Sequence, residues 1–244
     1  MSPLDPERIR LITFDVGGTL IHAHPSVGAI YAEVLGRRGF SAFPEEVGAA
    51  FESAWEEASA ACPPGRDRYA VSPDGERGYW RRLLRGTVSR LGATEPPPGA
   101  ADELFERFGH REAWRIYPEV VETLEALASR GLQLGVVSNW DSRLPGLLRE
   151  LGLRGFFGPI AVSALEGCEK PSPRIFQAVA ERAGVEVGQM LHVGDRCFED
   201  GDGAKSAGAR ALLVDRSDAD SSDGLKRVCF CLDGSRPALK GAPA

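Results

Sequence analysis

Residues 9–20, IRLITFDVGGTL, decide the fold of this chain, because an apolar run there stops at an acidic residue and two glycines. Such a run predicts a buried β-strand that ends in a tight turn. Four later runs have the same character and are also predicted to be strands, namely residues 133–137, 159–162, 189–193 and 210–214.

Helical patterns separate these strands. One begins at Pro118, and a second covers residues 144–152. A third has Ser172 as its N-cap and Pro173 in its first position, with Gly184 beyond its end. Strands that alternate with helices of this length favour βαβ units, so the predicted fold class is α/β with a parallel sheet.

Residues 22–115 interrupt this alternation. They are predicted to form four helices between glycine- and proline-rich breaks, at residues 27–38, 44–60, 76–91 and 101–108. Because ligands of open α/β sheets bind at the carboxyl ends of the strands, a helical insert after the first strand is placed to cover a site. We therefore expect a core of residues 1–21 and 116–233, a helical insert at 22–115 and a flexible tail at 234–244.

Composition narrows the class of protein. The chain has 244 residues, of which 43% are hydrophobic and 26% charged, as in globular domains. No apolar run approaches the about 18–20 residues that cross a bilayer, and residues 1–10 lack the apolar region of a signal peptide. The net charge of −6 gives no electrostatic reason to expect nucleic-acid binding. We expect a cytoplasmic monomer or homodimer that binds neither nucleic acid nor membrane.

Five cysteines in a chain without an export signal indicate reduced thiols rather than disulfides. Cys229 and Cys231 could form half of a metal site, but no second Cys/His pair accompanies them. We interpret them as alternating positions of a strand.

Two polar segments directly follow predicted strands. Asp15 stands before Gly17 and Gly18, where a carboxylate can be a nucleophile or a metal ligand, or can simply open an Asx-turn. Ser138, with the backbone N–H groups after it, can hold an anionic oxygen. Alternatively, Ser138 or Asp141 only caps a helix.

Two further segments complete the set of candidate site residues. Lys170 precedes a predicted helix N-terminus, where positive charge favours anions, and only four of the 29 basic residues are lysine. An ordinary surface lysine is the alternative. Asp195 and Asp200 share one strand-end loop, where two carboxylates repel unless a cation such as Mg²⁺ lies between them. A solvated acidic loop in which Asp200 caps a helix is the other possibility.

In order and spacing, these four segments resemble the motifs of the haloacid dehalogenase-like hydrolases across nearly the whole chain. The family has a Rossmann-like parallel sheet core with an inserted cap, which residues 22–115 resemble. Within the family, residues 14–20, 138–144 and 170–176 are similar to the subgroup of haloacid dehalogenase-like hydrolase domain-containing 3 proteins. The substrates of this subgroup are poorly defined.

The resemblance implies a role for each motif residue. Asp15 would be the nucleophile that forms an aspartyl-phosphate, Ser138 and the backbone of Asn139 would hold the phosphoryl oxygens, and Lys170 would neutralise charge. For Mg²⁺, the resemblance implies ligation by Asp15, the Gly17 carbonyl and Asp195, with Asp200 acting through water or as a support.

Gly17 departs from the family pattern, because phosphatases of the family usually have a second Asp there. Its carboxyl would protonate the leaving oxygen and activate water, and losing such a group typically costs about 10²–10⁴-fold in rate. The family's Asp leads us to expect that this turn tolerates a side chain. His22 and His24 lie nearby in sequence and could substitute, although such histidines usually have no catalytic role.

The leading functional hypothesis is therefore a Mg²⁺-dependent phosphatase whose substrate is a small phosphorylated metabolite. The alternatives are a 2-haloacid dehalogenase, which needs no metal, and a non-catalytic module that binds phosphate or a partner. Carboxylates crowded around a nucleophilic carboxylate count against a metal-free site.

Substrate contacts are expected mainly from the insert. The candidates for substrate binding are Thr19 in the first motif and Arg66, Arg68 and Trp80 in the insert, with Tyr69, Tyr79 and Arg81 as neighbours. The aromatic residues among them can equally be packing residues of a helical bundle.

Overall fold

The computed structural model of the chain describes residues 8–216 and 224–232. The predicted tail at residues 234–244 lies outside the described residues. In the described ranges, no helix combines the length and apolar character that crossing a membrane requires.

Seven strands are described, and five of them form one parallel sheet in the order β5-β4-β1-β6-β7. In chain order the strands are β1 (Leu11–Phe14), β2 (Ile21–Ala23), β3 (Trp114–Ile116), β4 (Gln133–Ser138), β5 (Ile160–Val162), β6 (Met190–Gly194) and β7 (Arg210–Leu213). The predicted α/β fold with a parallel sheet is therefore confirmed.

The helices of the described chain fall into two groups. Those of the insert are α1 (Val27–Gly36), α2 (Pro44–Ala60), α3 (Gly75–Arg90) and α4 (Ala100–Phe108). Those that follow are α5 (Val120–Ser129), α6 (Leu144–Glu150), α7 (Ser163–Glu166), α8 (Pro173–Ala183), α9 (Gly203–Ala207) and α10 (Arg227–Leu232).

β1 lies at the centre of the sheet and is buried on both faces, which explains its continuous apolar run. Ile12 and Phe14 pack in a cluster with side chains of α5, α6 and α10. Leu11 faces the other way and packs with α8 and α9. Alternating side chains of one strand thus join two hydrophobic layers, with helices on both sides of the sheet.

The four insert helices share an apolar cluster of their own, which includes Ile30, Val47, Leu84 and Leu104. Gly28 allows α1 and α2 to approach closely, because a Cβ at this position would lie 2.2 Å from the carbonyl oxygen of Pro44. Removing that Cβ is what lets the two helices pack backbone against backbone.

A short antiparallel pair joins the insert to the rest of the chain. β2 pairs with β3, so that the entry to the insert is hydrogen-bonded to its exit. These two strands were not predicted, since three-residue strands carry too short a pattern to be recognised.

One prediction about the C-terminal region was wrong. Cys229 and Cys231 lie in helix α10 rather than at alternating positions of a strand. The sequence RVCFCL has the β-branched and aromatic composition of a strand, but Val228 packs into the cluster of α5 and α6. Tertiary packing has overridden the local preference there.

Candidate active site

The strand order brings three of the four motifs to one edge of the sheet. β4, β1 and β6 are neighbours, and Ser138, Asp15 and Asp195 stand at or just after their carboxyl ends. Parallel strands present these ends on the same side, so residues far apart in sequence meet there. Lys170 reaches the same point from the segment before α8.

Asp15 is the centre of this cluster. Its Oδ1 accepts a hydrogen bond from Ser138 Oγ at 2.9 Å and from Lys170 Nζ at 2.7 Å. Asp15 is 8% exposed, and Ser138 and Lys170 are buried as well. The structure therefore brings together Asp15, the predicted nucleophile, Ser138, which is predicted to hold phosphoryl oxygens, and Lys170, the predicted cation.

Asn139 holds the backbone of Lys170 from both sides. Its Nδ2 donates to the Lys170 carbonyl oxygen at 2.9 Å, and its Oδ1 accepts from the Lys170 N–H at 2.7 Å. The Asn139 side chain thus positions Lys170. The sequence predicted a role only for the backbone of Asn139, so this side-chain contact is an addition.

Asp200 is buried and surrounded by donors. Its Oδ1 accepts from Lys170 Nζ at 2.5 Å and lies 3.0 Å from His192 Nε2, and its Oδ2 accepts from the Arg196 N–H at 2.9 Å. The carboxylate lies in a π-helical turn, Cys197–Asp202. Its surroundings match a supporting residue better than a direct metal ligand.

His192 is a residue of the cluster that sequence reasoning missed. It is fully buried in β6, with Nδ1 2.9 Å from Thr13 Oγ1 and Nε2 against Asp200. Burial lowers the pKa of His192, so the ring is neutral and can link the two residues. A polar residue inside an apolar strand, LHV at 191–193, was the available signal.

Asp195 lies on the open side of the cluster. Its Oδ1 accepts from Thr19 Oγ1 at 3.1 Å. Gly18 has φ +76°, and a Cβ there would lie 2.6 Å from Asp195 Oδ2. The glycine therefore makes both the left-handed turn and the close approach of this carboxylate possible.

The charges of the cluster are unevenly balanced. Burial raises the pKa of Asp15 to about 6, although the Lys170 ammonium lowers it. Burial and the Asp200 carboxylate raise the pKa of Asp195. For Asp200, burial is outweighed by the Lys170 ammonium and His192, which bring its pKa below the usual value. The Lys170 ammonium pairs with Asp15 and Asp200, and a further cation near Asp195 would relieve the remaining repulsion among the three carboxylates.

The donor set fits such a cation. Oxygen atoms of Asp15, Asp195 and Asp200 lie within 4.8 Å of one another. Hard carboxylate oxygens are the ligands that Mg²⁺ prefers. The carbonyl of Gly17 stays a predicted further ligand.

Trp140 occupies the space beside Gly17. The backbone of Gly17 is outside the left-handed region, so a side chain there meets no backbone strain. A Cβ at Gly17, however, would lie 3.0 Å from Cζ3 of Trp140, so a side chain requires the indole to shift. The expectation that this turn tolerates a side chain thus agrees with the backbone, while the Trp140 ring must give by a few tenths of an ångström to admit one.

The predicted substrate-binding residues lie in different surroundings. Thr19 is buried beside Asp195. Trp80 donates from Nε1 to Asp141 Oδ2 at 2.9 Å, and Arg68 forms a buried ion pair with Glu169. Arg66 is exposed, and its N–H donates to the Pro63 carbonyl oxygen. Their contact with a substrate stays a prediction.

The two histidines considered as substitutes for the missing Asp are outside the cluster. In the described structure, His22 lies in β2, stacks on Tyr117 at 4.8 Å and has no hydrogen bond to Asp15. His24 follows that strand and lies 6.5 Å from the His22 ring.

The comparisons with known proteins agree with this geometry. A family model described as haloacid dehalogenase-like hydrolase matches residues 9–208. The chain is 34% identical over 213 residues to the haloacid dehalogenase-like hydrolase domain-containing protein 3 of Danio rerio, covering 86% of each chain. It is also 33% identical over 136 residues to the glyceraldehyde 3-phosphate phosphatase of Methanopyrus kandleri, covering 53% of this chain and 56% of that protein.

Solved structures share the fold. A HAD phosphatase from Thermococcus onnurineus has a TM-score of 0.63 at 24% identity, covering 94% of this chain and 100% of that one. The L-2-haloacid dehalogenase from Xanthobacter autotrophicus has a TM-score of 0.64 at 23% identity, covering 86% and 79%. The magnesium-bound HAD-hydrolase YfnB from Bacillus subtilis has a TM-score of 0.73 at 18% identity, covering 93% and 99%.

Proposed function

The chain belongs to the haloacid dehalogenase-like hydrolases, as its motifs predicted, and on that premise we propose that it is a Mg²⁺-dependent phosphatase of a small phosphorylated metabolite. The observation that carries the proposal is the buried Asp15 carboxylate, held at one oxygen by Ser138 and Lys170. Among the described residues both hydrogen bonds to this carboxylate fall on Oδ1, which leaves Oδ2 available to attack.

In the proposed reaction, Asp15 attacks phosphorus, an O–P bond forms, and the leaving oxygen departs with the electron pair of the broken bond. Water then hydrolyses the aspartyl-phosphate, which releases phosphate and restores the carboxylate. Phosphoryl transfer needs mainly positioning and charge neutralisation. Ser138 orients the nucleophile, and the Lys170 ammonium balances its charge and that of the phosphoryl group.

The proposed metal ligands are Asp15, Asp195 and the Gly17 carbonyl, with Asp200 as a support. When bound, Mg²⁺ would add positive charge beside the transferring phosphoryl group. Relief of the repulsion among three crowded carboxylates supports this assignment. Asp200 contributes mainly by holding Lys170 and His192.

Gly17 affects the choice of substrate. With no carboxyl at this position, the leaving oxygen takes its proton from solvent, and aryl or acyl phosphates, whose leaving groups need no protonation, are favoured over alkyl phosphates. The missing carboxyl would also have activated water, so we expect the aspartyl-phosphate to accumulate. These properties make the proposed enzyme slow on ordinary phosphate esters.

Residues 22–115 are proposed to be a cap that selects the substrate. Contacts from the insert reach the loop after β4, where Trp80 bonds to Asp141 and Glu76 accepts from Ser142. A cap in this place would exclude water from the site. We also propose that the protein is a cytoplasmic monomer or homodimer. In this proposal it binds neither nucleic acid nor membrane.

Gly17 is also compatible with a second candidate function, that of a 2-haloacid dehalogenase. Halide leaves without a proton, so this reaction does not need the missing acid. It also does not need Asp195 and Asp200, whose charges would oppose a nucleophilic Asp15 in a metal-free site. The acidic cluster therefore favours the phosphatase.

One assay separates these possibilities. We expect hydrolysis of p-nitrophenyl phosphate that requires added Mg²⁺ and stops with EDTA, and no halide release from 2-chloropropionate. The Asp15→Asn variant is the control, since the amide cannot form the phosphoenzyme, and it should fold and be inactive. Halide release without metal would instead identify a dehalogenase, and inactivity on all substrates would favour a binding module.

A further inference from the structure

A buried ion pair connects the insert to the residue that precedes Lys170. Arg68, in the loop between α2 and α3, donates from Nε to Glu169 Oε2 at 2.8 Å and from Nη2 to Oε1 at 3.0 Å. The Arg68 N–H also donates to Oε2 at 3.1 Å. The two side chains are only 5% and 10% exposed, so the pair is shielded from solvent.

Each of the three guanidinium nitrogens of Arg68 has a hydrogen-bond partner within the protein. Its remaining nitrogen, Nη1, donates to Ser59 Oγ at 3.2 Å, and the guanidinium carbon lies 4.9 Å from the centre of the Trp55 ring. A planar fork that fills both oxygens of one carboxylate is oriented by that carboxylate. The Arg68 guanidinium and the Glu169 carboxylate therefore fix each other's orientation.

Glu169 is fixed to a short segment whose next residue reaches the nucleophile. The Glu169 carbonyl oxygen accepts from the Ser172 N–H at 2.9 Å. Lys170 is then held by Asn139 at its backbone and by Asp15 at its ammonium. One peptide bond thus separates an anchor in the insert from an anchor in the core.

We propose that Arg68 is a positioning residue for Lys170, which it holds through Glu169, so that docking of the insert and placement of the lysine are one event. The inference rests on the proposed function for its effect on rate. Without Arg68, the Glu169 carboxylate is a buried charge lacking its cation, and it turns toward water. The segment then loses the anchor that sets the distance from Lys170 Nζ to Asp15.

The test compares Arg68→Gln, Arg68→Lys and Glu169→Gln with the unmodified protein. Arg85→Gln is the matched control, because Arg85 lies in the same insert and pairs with Glu95 at 3.0 Å in an exposed position. The first readout is kcat and KM for p-nitrophenyl phosphate with Mg²⁺. The second is hydrogen exchange at the amides of Lys170 and Ser172, which needs no activity.

We expect Arg68→Gln and Glu169→Gln to lower kcat about 100-fold while KM changes less than about threefold, since misplacement of a charged group by about 1 Å costs that much. Arg68→Lys should lie between these variants and the unmodified protein, because lysine keeps the charge and lacks the fork. Exchange at the Lys170 and Ser172 amides should be faster in all three. Arg85→Gln should change neither readout.

Other results would overturn the inference. A KM increase of tenfold or more at unchanged kcat would show that Arg68 contacts the substrate. Unchanged kcat and exchange in a folded Arg68→Gln protein would show that the ion pair is merely structural. If Arg68→Gln fails to fold, Arg68→Lys decides by the same criteria. If the unmodified protein hydrolyses nothing, the proposed function fails, and exchange alone decides whether Arg68 anchors the segment.

Discussion

Asp195 and Asp200 come from one loop, yet their carboxylates have different partners. Asp200 accepts from Lys170 and Arg196 and contacts His192, whereas in the described structure the Asp195 carboxylate accepts from Thr19. The carboxylate with fewer donors has more lone pairs left for a cation. Position in the loop alone would not distinguish the two residues.

We predict that Asp195→Asn weakens Mg²⁺ binding at least tenfold more than Asp200→Asn, measured by titration calorimetry. Asp200→Asn should instead lower the free energy of unfolding by about 3 kcal/mol, because it removes one partner of a buried lysine. Equal losses of Mg²⁺ affinity in the two variants would contradict the assignment of Asp195 as the direct ligand.

Trp140 lies against Gly17, so the two residues together decide whether a side chain fits in the first motif. The indole fills the space that a side chain on Gly17 would need, with 3.0 Å between the added Cβ and Cζ3. Restoring an acid therefore requires room as well as a carboxyl group. A test of the missing acid therefore combines a substitution at Gly17 with one at Trp140.

We predict that Gly17→Asp alone raises alkyl-phosphate turnover less than tenfold, and that Gly17→Asp with Trp140→Ala raises it about 10²-fold. The measurement is turnover across a series of alkyl and aryl phosphates, with Trp140→Ala alone as the control for the cavity. A full gain from Gly17→Asp alone would mean that the indole moves freely.

At the scale of elements, helix α3 is tied to the loop after β4. The Trp80 indole N–H donates to Asp141, a fully buried carboxylate that also accepts from Arg143. The Trp80 ring packs at a tilt against Trp55 and Tyr69 and edge-to-face against Tyr79. Packing and one charge-assisted hydrogen bond therefore both act at this contact.

We predict that Trp80→Phe keeps the ring packing, loses the hydrogen bond and lowers the free energy of unfolding by about 1–2 kcal/mol. Chemical denaturation measures this loss, and KM for p-nitrophenyl phosphate should be unchanged. An increase in KM with an unchanged free energy of unfolding would instead indicate that Trp80 contacts the substrate.

At the scale of the whole molecule, the acidic cluster couples stability to pH. The pKa of Asp15 is raised from 3.8 to about 6, so between these values the folded state binds more protons than the unfolded chain. Stability contributed by this group is therefore present at low pH and decreases as pH rises through about 6. At the proposed site, Mg²⁺ would bind the deprotonated carboxylates, so its effect on stability would have the opposite pH dependence.

We predict that Mg²⁺ raises the melting temperature by several degrees at pH 7.5 and by less than about 1 °C at pH 5, since stabilisation follows ligand affinity. Differential scanning fluorimetry with and without EDTA measures this. Asp195→Asn is the control, and its response to Mg²⁺ should be small at both pH values. A shift of equal size at both pH values would contradict a carboxylate site for the ion.

Much of the fold followed from local patterns. The runs that predicted β1, β4, β5, β6 and β7 are the strands of the parallel sheet, and Pro173 and Gly184 stand at the ends of α8 as expected. Hydrophobic period, helix capping and glycine turns act within about ten residues, so a sequence displays them directly. Three of the four motifs were recognisable because each follows a strand, and parallel strands end on the same side.

The sequence by itself therefore determined the α/β class, the meeting of Asp15, Ser138, Lys170 and Asp195 at one edge, and the family. The tertiary structure alone decided that Trp140 fills the space at Gly17, that Arg68 holds Glu169, and that Cys229 lies in a helix. Those features depend on contacts between segments that are distant along the chain. Their energies come from packing and buried charge, which no local pattern records.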